Sequence, residues 1–353
     1  MMNTKLKILL LVMLSSITGC ASFPNPVVRG KCFDEKSGTA KKFCRSTNWV
    51  DYERGNIFCP YRYQITPDNA QEKNAIRLAK KGYLYALGAA LELQKEKSQD
   101  TNDHHFELPE NMINVKELHT SLRNGFQAST FEIKEDGTEN PVILIAFRGS
   151  DQIIDWRTQN IGIEIQNNDA RDYVKKIYNK YKRPVIVSGF SLGGGLSAHV
   201  KQHPETKNMV KEAWLFNPSP FDGIWGTKPD KDTYVLYQKG EVLTFIRKIF
   251  RTEYADTDNT AYYRNIKSFP VYSHFRYSLM LQILHAADTS YWCEAPDDKI
   301  SPTLKLITKP SDGTPSMTAC DSAMQTKSIA DSKKFSIDAI NTNFSNLKKI
   351  CPK

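Results

Sequence analysis

The distribution of apolar and polar positions divides the chain into a helical stretch, a strand-rich centre and two flanks of weaker pattern. Between residues 69 and 97, apolar side chains fall at Ala75, Leu78, Ala79, Leu84, Leu87, Leu91 and Leu93. That spacing predicts a helix ending in a charged run. Polar residues from Ser98 to Asp103, with Pro109 beyond, predict a surface loop. From Gly125 the period shortens. Phe126 to Ile133 and Val142 to Phe147 predict a hairpin across Glu135-Asp136-Gly137-Thr138. The second strand is almost wholly apolar, as expected of one buried on both faces. Helices are predicted at Ala170 to Tyr181, Leu196 to Gln202 and Tyr277 to Ala287, and strands at Val185 to Val187, Ala213 to Phe216 and Thr233 to Gln238. Alternating strands and helices predict a mostly parallel sheet covered on both faces, an α/β domain spanning 69–292. Residues 20–68 and 293–353 read as extensions. The first is expected to be loop-rich to residue 65 and to wrap the domain; the Lys/Ser/Thr-rich tail from Ser301 has no readable pattern.

One strand carries the candidate chemistry. Val185-Ile186-Val187-Ser188 runs into Gly189-Phe190-Ser191-Leu192-Gly193, then Gly194 and Gly195. This is G-x-S-x-G in the strand-to-helix context of a nucleophile elbow. A sharp turn with a strained serine leaves no room for Cβ atoms beside it, which explains the flanking glycines. The serine hydroxyl then stands at a helix N-terminus, whose amides favour negative charge.

A second motif lies upstream. Ala146-Phe147-Arg148-Gly149-Ser150 is followed by Asp155-Trp156. Together with Ser188 to Gly195 it resembles the paired signatures of the class 3 (fungal-type) lipase family, over roughly residues 70–290. The resemblance implies an α/β-hydrolase fold and hydrolysis of lipid carboxylic esters. It also implies an oxyanion hole formed by the amides of Ser150 and Leu192. Two positions depart from the family's pattern: Phe190 stands where histidine usually precedes the nucleophile, and Glu241 where aspartate is usual.

A serine nucleophile needs a base and an acid to orient it. In this fold both follow the serine in the chain. Of seven histidines, His104, His105 and His119 precede Ser191, and His199 and His203 lie on the helix after it. His274 and His285 remain. His274 precedes a helix in surroundings similar to the family's His-x-x-Tyr-x-Leu, whereas His285 falls within an apolar helix, as a core histidine would. For the acid, Glu241 follows the strand Thr233 to Gln238, and Asp222 is the rival after the break at Asn217-Pro218-Ser219-Pro220. Between Glu241 and His274, aromatic residues alternate with Arg247, Lys248, Arg251 and Arg264. They read either as a lipid-facing cap or as an insertion packed on the domain.

The ends of the chain concern location. Lys5 and Lys7 precede an apolar run from Ile8 to Leu14, read as a signal peptide over 1–19. Ile17-Thr18-Gly19-Cys20 resembles a bacterial lipoprotein processing site, implying acylation of Cys20 and a stable membrane anchor. Ala21 favours the outer membrane by the same resemblance. Of seven cysteines, Cys32, Cys44, Cys59, Cys293, Cys320 and Cys351 then remain, an even set expected to form disulfides linking the two extensions. Net charge is +9, or +7 without Lys5 and Lys7, compatible with anionic lipid headgroups. No motif supports nucleic-acid binding. The expected protein is therefore an exported, lipid-anchored serine ester hydrolase of acylglycerols or phospholipids, needing no metal or organic cofactor. The alternative is an envelope lipoprotein that keeps the scaffold for binding.

Overall fold

The computed structural model describes residues 27–33, 40–45, 70–94, 105–135, 137–149, 163–219, 231–244, 247, 257–263, 266–267, 274, 276–294, 303 and 306–308. Its centre is a mixed sheet. Strands β4 (Met112–Asn114), β6 (Gln127–Ile133), β7 (Val142–Phe147), β8 (Val185–Phe190), β9 (Val210–Phe216), β10 (Thr233–Gln238) and β11 (Thr260–Tyr263) lie side by side in the order β11-β10-β9-β8-β7-β6-β4, and β5 (Thr120–Ser121) pairs with β6. From β7 to β11 all pairs are parallel. The β6–β7 hairpin is antiparallel, in register from Ala128↔Phe147 to Ile133↔Val142, and Gly137 in its turn has φ +76.

Among the described residues, four helices cover the sheet: α1 (Ala70–Glu92), α2 (Ile163–Tyr181), α3 (Leu192–Gln202) and α4 (Arg276–Glu294). The period of two in the strands divides two cores. Leu144, Ala146, Ile186, Phe190, Trp214, Phe216, Leu236 and Tyr263 face α1 and α4. Ile143, Ile145, Phe147, Val185, Val187, Ala213, Leu215 and Val235 face α2 and α3. The chain thus forms an α/β fold with helices on both faces of the sheet, as the alternating pattern predicts.

Three expectations change. The stretch expected to be loop-rich contains strands β1 (Val27–Phe33) and β2 (Ala40–Arg45), and β1 also pairs with β12 (Ile266–Lys267). Cys32 stands opposite Lys41 and Cys44 opposite Val28 in that ladder. Beyond Glu241, Thr260–Tyr263 is the parallel edge strand β11, with Ala261 and Tyr263 buried under α1. Arg247 is likewise buried. For these residues the packed alternative holds and the lipid-facing cap does not. The helices α2 and α4 also extend beyond their predicted ends, α2 starting at Ile163 and α4 running to Glu294. The signal segment, Cys20, Cys59, Cys320 and Cys351 lie outside the described residues. Among the described residues, no helix is long and apolar enough to cross a membrane.

Candidate active site

The site stands at the carboxyl ends of β8, β9 and β10. Strand β8 delivers Ser191 to the start of α3 in a backbone conformation of φ 52, ψ −117, which L-residues rarely adopt. Packing imposes that turn. A Cβ on Gly189 would lie 2.2 Å from the carbonyl carbon of Gly193, and one on Gly193 would lie 2.2 Å from the Phe147 carbonyl oxygen. The glycines thus permit the elbow to fold on itself and to sit against the end of β7. Three backbone hydrogen bonds hold it: Ser191 N–H donates to Phe216 O at 2.9 Å, while Ser191 O accepts from Ser219 N–H at 2.9 Å and Gly195 N–H at 3.1 Å. Phe190 does not enter the polar site. It stacks on Phe216 with ring centroids 5.1 Å apart, within the core beneath α1 and α4.

His274, Ser191 and Glu241 come together although 83 and 33 residues separate His274 from the other two. His274 Nε2 lies 2.8 Å from Ser191 Oγ, and its Nδ1 lies 2.8 Å from Glu241 Oε2. All three are buried: Ser191 at 7%, His274 at 8% and Glu241 at 2% exposure. The carboxylate makes further bonds. Oε2 also accepts from the Leu243 amide at 2.7 Å, and Oε1 accepts from Thr244 Oγ1 at 3.1 Å and from Arg247 Nη2. Burial pushes the Glu241 carboxyl up. The Arg247 charge, the His274 hydrogen bond and charge, and the Leu243 amide outweigh it and hold the group below the ordinary carboxylate range.

The backbone around the triad is also fixed. Asn217, at φ 42 directly after β9, is fully buried. Its amide nitrogen donates to the His274 carbonyl at 3.2 Å, and its oxygen accepts from Gln238 N–H at 2.8 Å. Gln282 of α4 donates to Gln238 Oε1 at 2.8 Å. The ends of β9 and β10, the His274 backbone and helix α4 are therefore joined by buried polar bonds.

Of the residues selected from sequence, the structure brings Ser191, His274 and Glu241 into contact and places Leu192 as the first residue of α3. The rival base His285 is buried within α4, 2% exposed. Ser150 and the rival acid Asp222 lie outside the described residues. Sequence reasoning missed Arg247 and Asn217. Asn217 had a local signal, because asparagine tolerates the left-handed region and stands where a strand must turn sharply. Arg247 had none: an arginine six positions past an acid reads as a surface residue until the chain folds back. Among the described residues, no three His, Cys, Asp or Glu side chains cluster as metal ligands would.

Comparison with known proteins adds a partial match. Residues 107–230 match the model of the Mbeg1-like family. No curated protein matches the chain. Among solved structures, the crystal structure of a predicted CIB-like hydrolase from Thermoplasma acidophilum is similar, with 11% identity, 49% of this chain and 99% of that chain covered, and a TM-score of 0.30.

Proposed function

We propose that this chain is a serine carboxylic-ester hydrolase of the α/β-hydrolase type, acting on ester lipids through an acyl-enzyme on Ser191. One observation carries the reading: an unbroken hydrogen-bonded line from Ser191 Oγ through both imidazole nitrogens to Glu241, with the serine on a strained elbow. In the first half-reaction Ser191 Oγ attacks the ester carbonyl carbon while its proton passes to His274 Nε2. The tetrahedral oxyanion is held by the Leu192 amide at the start of α3 and by the Ser150 amide. Collapse breaks the ester C–O bond, and His274 returns the proton to the leaving alcohol. Water then attacks the acyl-enzyme by the same route and releases the carboxylic acid, restoring Ser191. Glu241 keeps the imidazole in the tautomer that presents Nε2 to the serine and stabilises the imidazolium once formed.

The Arg148-Gly149-Ser150 motif and its resemblance to class 3 lipases support acylglycerols or phospholipids as the substrate class. The partial Mbeg1-like match spans both that motif and the elbow. Export, acylation of Cys20 and attachment to the outer membrane complete the proposal, resting on the Ile17-Thr18-Gly19-Cys20 pattern.

A fluorophosphonate probe tests the chemistry. Wild type is expected to be labelled covalently, Ser191→Ala not at all, and His274→Ala to react slower by roughly 10³-fold or more. A wild-type protein that takes no label and releases no acid from short- or long-chain esters would instead be a binding protein on a hydrolase scaffold. Asp222→Ala is expected to keep its turnover, because Glu241 fills the acid position; loss of turnover in that variant would move the role to Asp222.

A further inference from the structure

A glutamate in the acid position carries one more side-chain torsion than an aspartate, and that torsion must be frozen for the carboxylate to hold an imidazole in place. The structure supplies a partner for this purpose. Arg247 lies six residues beyond Glu241 and is 4% exposed, buried where an arginine is seldom found without a specific pairing. Its Nη2 bonds Glu241 Oε1, its Nη1 donates to the Pro218 carbonyl at 2.6 Å, and its guanidinium lies 5.7 Å from the Tyr237 ring centroid. Thr244 Oγ1 accepts from the same Nη2 at 3.4 Å and donates to Oε1. The two carboxylate oxygens are therefore divided: Oε1 faces Arg247 and Thr244, Oε2 faces His274 and the Leu243 amide.

We infer that Arg247 is the positioning residue that lets a glutamate serve as the triad acid, by fixing the carboxylate plane and tying it to the loop that holds the nucleophile. The tie runs through two bonds. Pro218 O accepts from Arg247, and the next residue, Ser219, donates its amide to the Ser191 carbonyl. A guanidinium is suited to this because its planar fork serves two acceptors at fixed angles, which an ammonium does not. The charge matters as well as the fork. Among the described residues, the charged and titratable groups acting on Glu241 are Arg247 and His274, and of the influences opposing burial Arg247 is the largest that keeps the carboxylate ionised.

This inference rests on the ester-hydrolase reading for its kinetic consequences, but not for its structural ones. With p-nitrophenyl butyrate as the probe and the full chain as enzyme, Arg247→Gln is expected to lower kcat roughly 10- to 100-fold with little change in KM. Its acid limb should move to higher pH, because Glu241 then protonates more readily. Arg247→Lys keeps the charge and loses the fork, so it should keep the wild-type acid limb with a smaller fall in kcat. An Arg247→Gln variant whose activity falls at all pH values without moving the acid limb would mean that Arg247 is only a structural brace. The downfield proton resonance of His274 Nδ1–H bonded to Glu241 gives a readout independent of turnover. It should persist to lower pH in wild type and Arg247→Lys than in Arg247→Gln. Equal persistence in all three overturns the inference. If Arg247→Gln does not fold, Arg247→Lys decides: an unchanged kcat, or an acid limb moved upward, is incompatible with the proposed role. A wild type that hydrolyses no ester defeats the functional reading, while the resonance still tests Arg247.

Discussion

At the scale of single residues, the site shows how environment selects among similar side chains. Glu241 and Asp222 are both acidic residues that follow predicted strands, and only chain position, Glu241 coming directly after the strand Thr233 to Gln238, favours one over the other in sequence. What qualifies Glu241 is tertiary: burial to 2% exposure, an imidazole on one oxygen and a guanidinium on the other. Glu241→Gln is expected to lower kcat/KM by roughly 10³- to 10⁴-fold with little loss of substrate binding, since the amide stabilises the wrong imidazole tautomer. Steady-state kinetics beside unchanged circular dichroism would establish that. The sign of the pH dependence follows from the depressed carboxyl. Its contribution to stability is fully present above the ordinary carboxylate value and is lost as pH falls through the lower folded value. Activity should likewise survive into mildly acidic solution as far as Glu241 is concerned.

At the scale of elements, the elbow is where local sequence and long-range packing meet. Its glycines are legible as a motif, and the structure supplies the reason: Cβ atoms at 189 and 193 would meet backbone atoms, which cannot rotate aside as a side chain can. Gly193→Ala is therefore expected to displace the start of α3 from the end of β7. The variant should lose fluorophosphonate labelling even where its circular dichroism shows a folded chain, and full labelling would show that the elbow tolerates the shift. Other elements were less legible. Helices α1 and α4 announce themselves through apolar spacing, but α4 continues past the apolar run to Glu294, where Pro296 two positions on supplies the local stop signal. Strand β11 is four residues, Thr260–Tyr263, and pairs in parallel with β10. A short parallel edge strand has no hairpin turn to reveal it, and its aromatic residues read equally well as a cap.

At the scale of the whole molecule, two cores are divided by one sheet, and a few buried polar groups cross them. Asn217, Gln238 and Gln282 join the sheet to α4 behind His274. Glu92, at the end of α1, is a different case. It is 8% exposed, and its Oε1 has no hydrogen-bond partner among the described residues. Burial pushes its carboxyl up to about 7, against the opposing pull of Ser129, Gln127 and Arg148. Between the ordinary value of 4.5 and about 7 the folded state holds a proton that the unfolded chain has released, so stability falls as pH rises through that window. Glu92→Gln removes the dependence. The variant should match wild type near pH 4 and exceed it at pH 8 by up to about 3 kcal/mol, read from thermal melts across the range. Equal pH slopes in both proteins would place the titrating group elsewhere.

The sequence by itself determined the α/β alternation, the buried hairpin and the elbow with Ser191, because periodicity and glycine placement are local properties, while chain order left His274 and His285 and the resemblance to class 3 lipases favoured His274. The tertiary structure alone decided that Glu241 meets His274, that Arg247 closes behind it and that Thr260–Tyr263 joins the sheet. Those outcomes depend on which distant segments share a buried space. There the loss of hydration must be offset by partners, and partners separated by tens of residues leave no pattern along the chain.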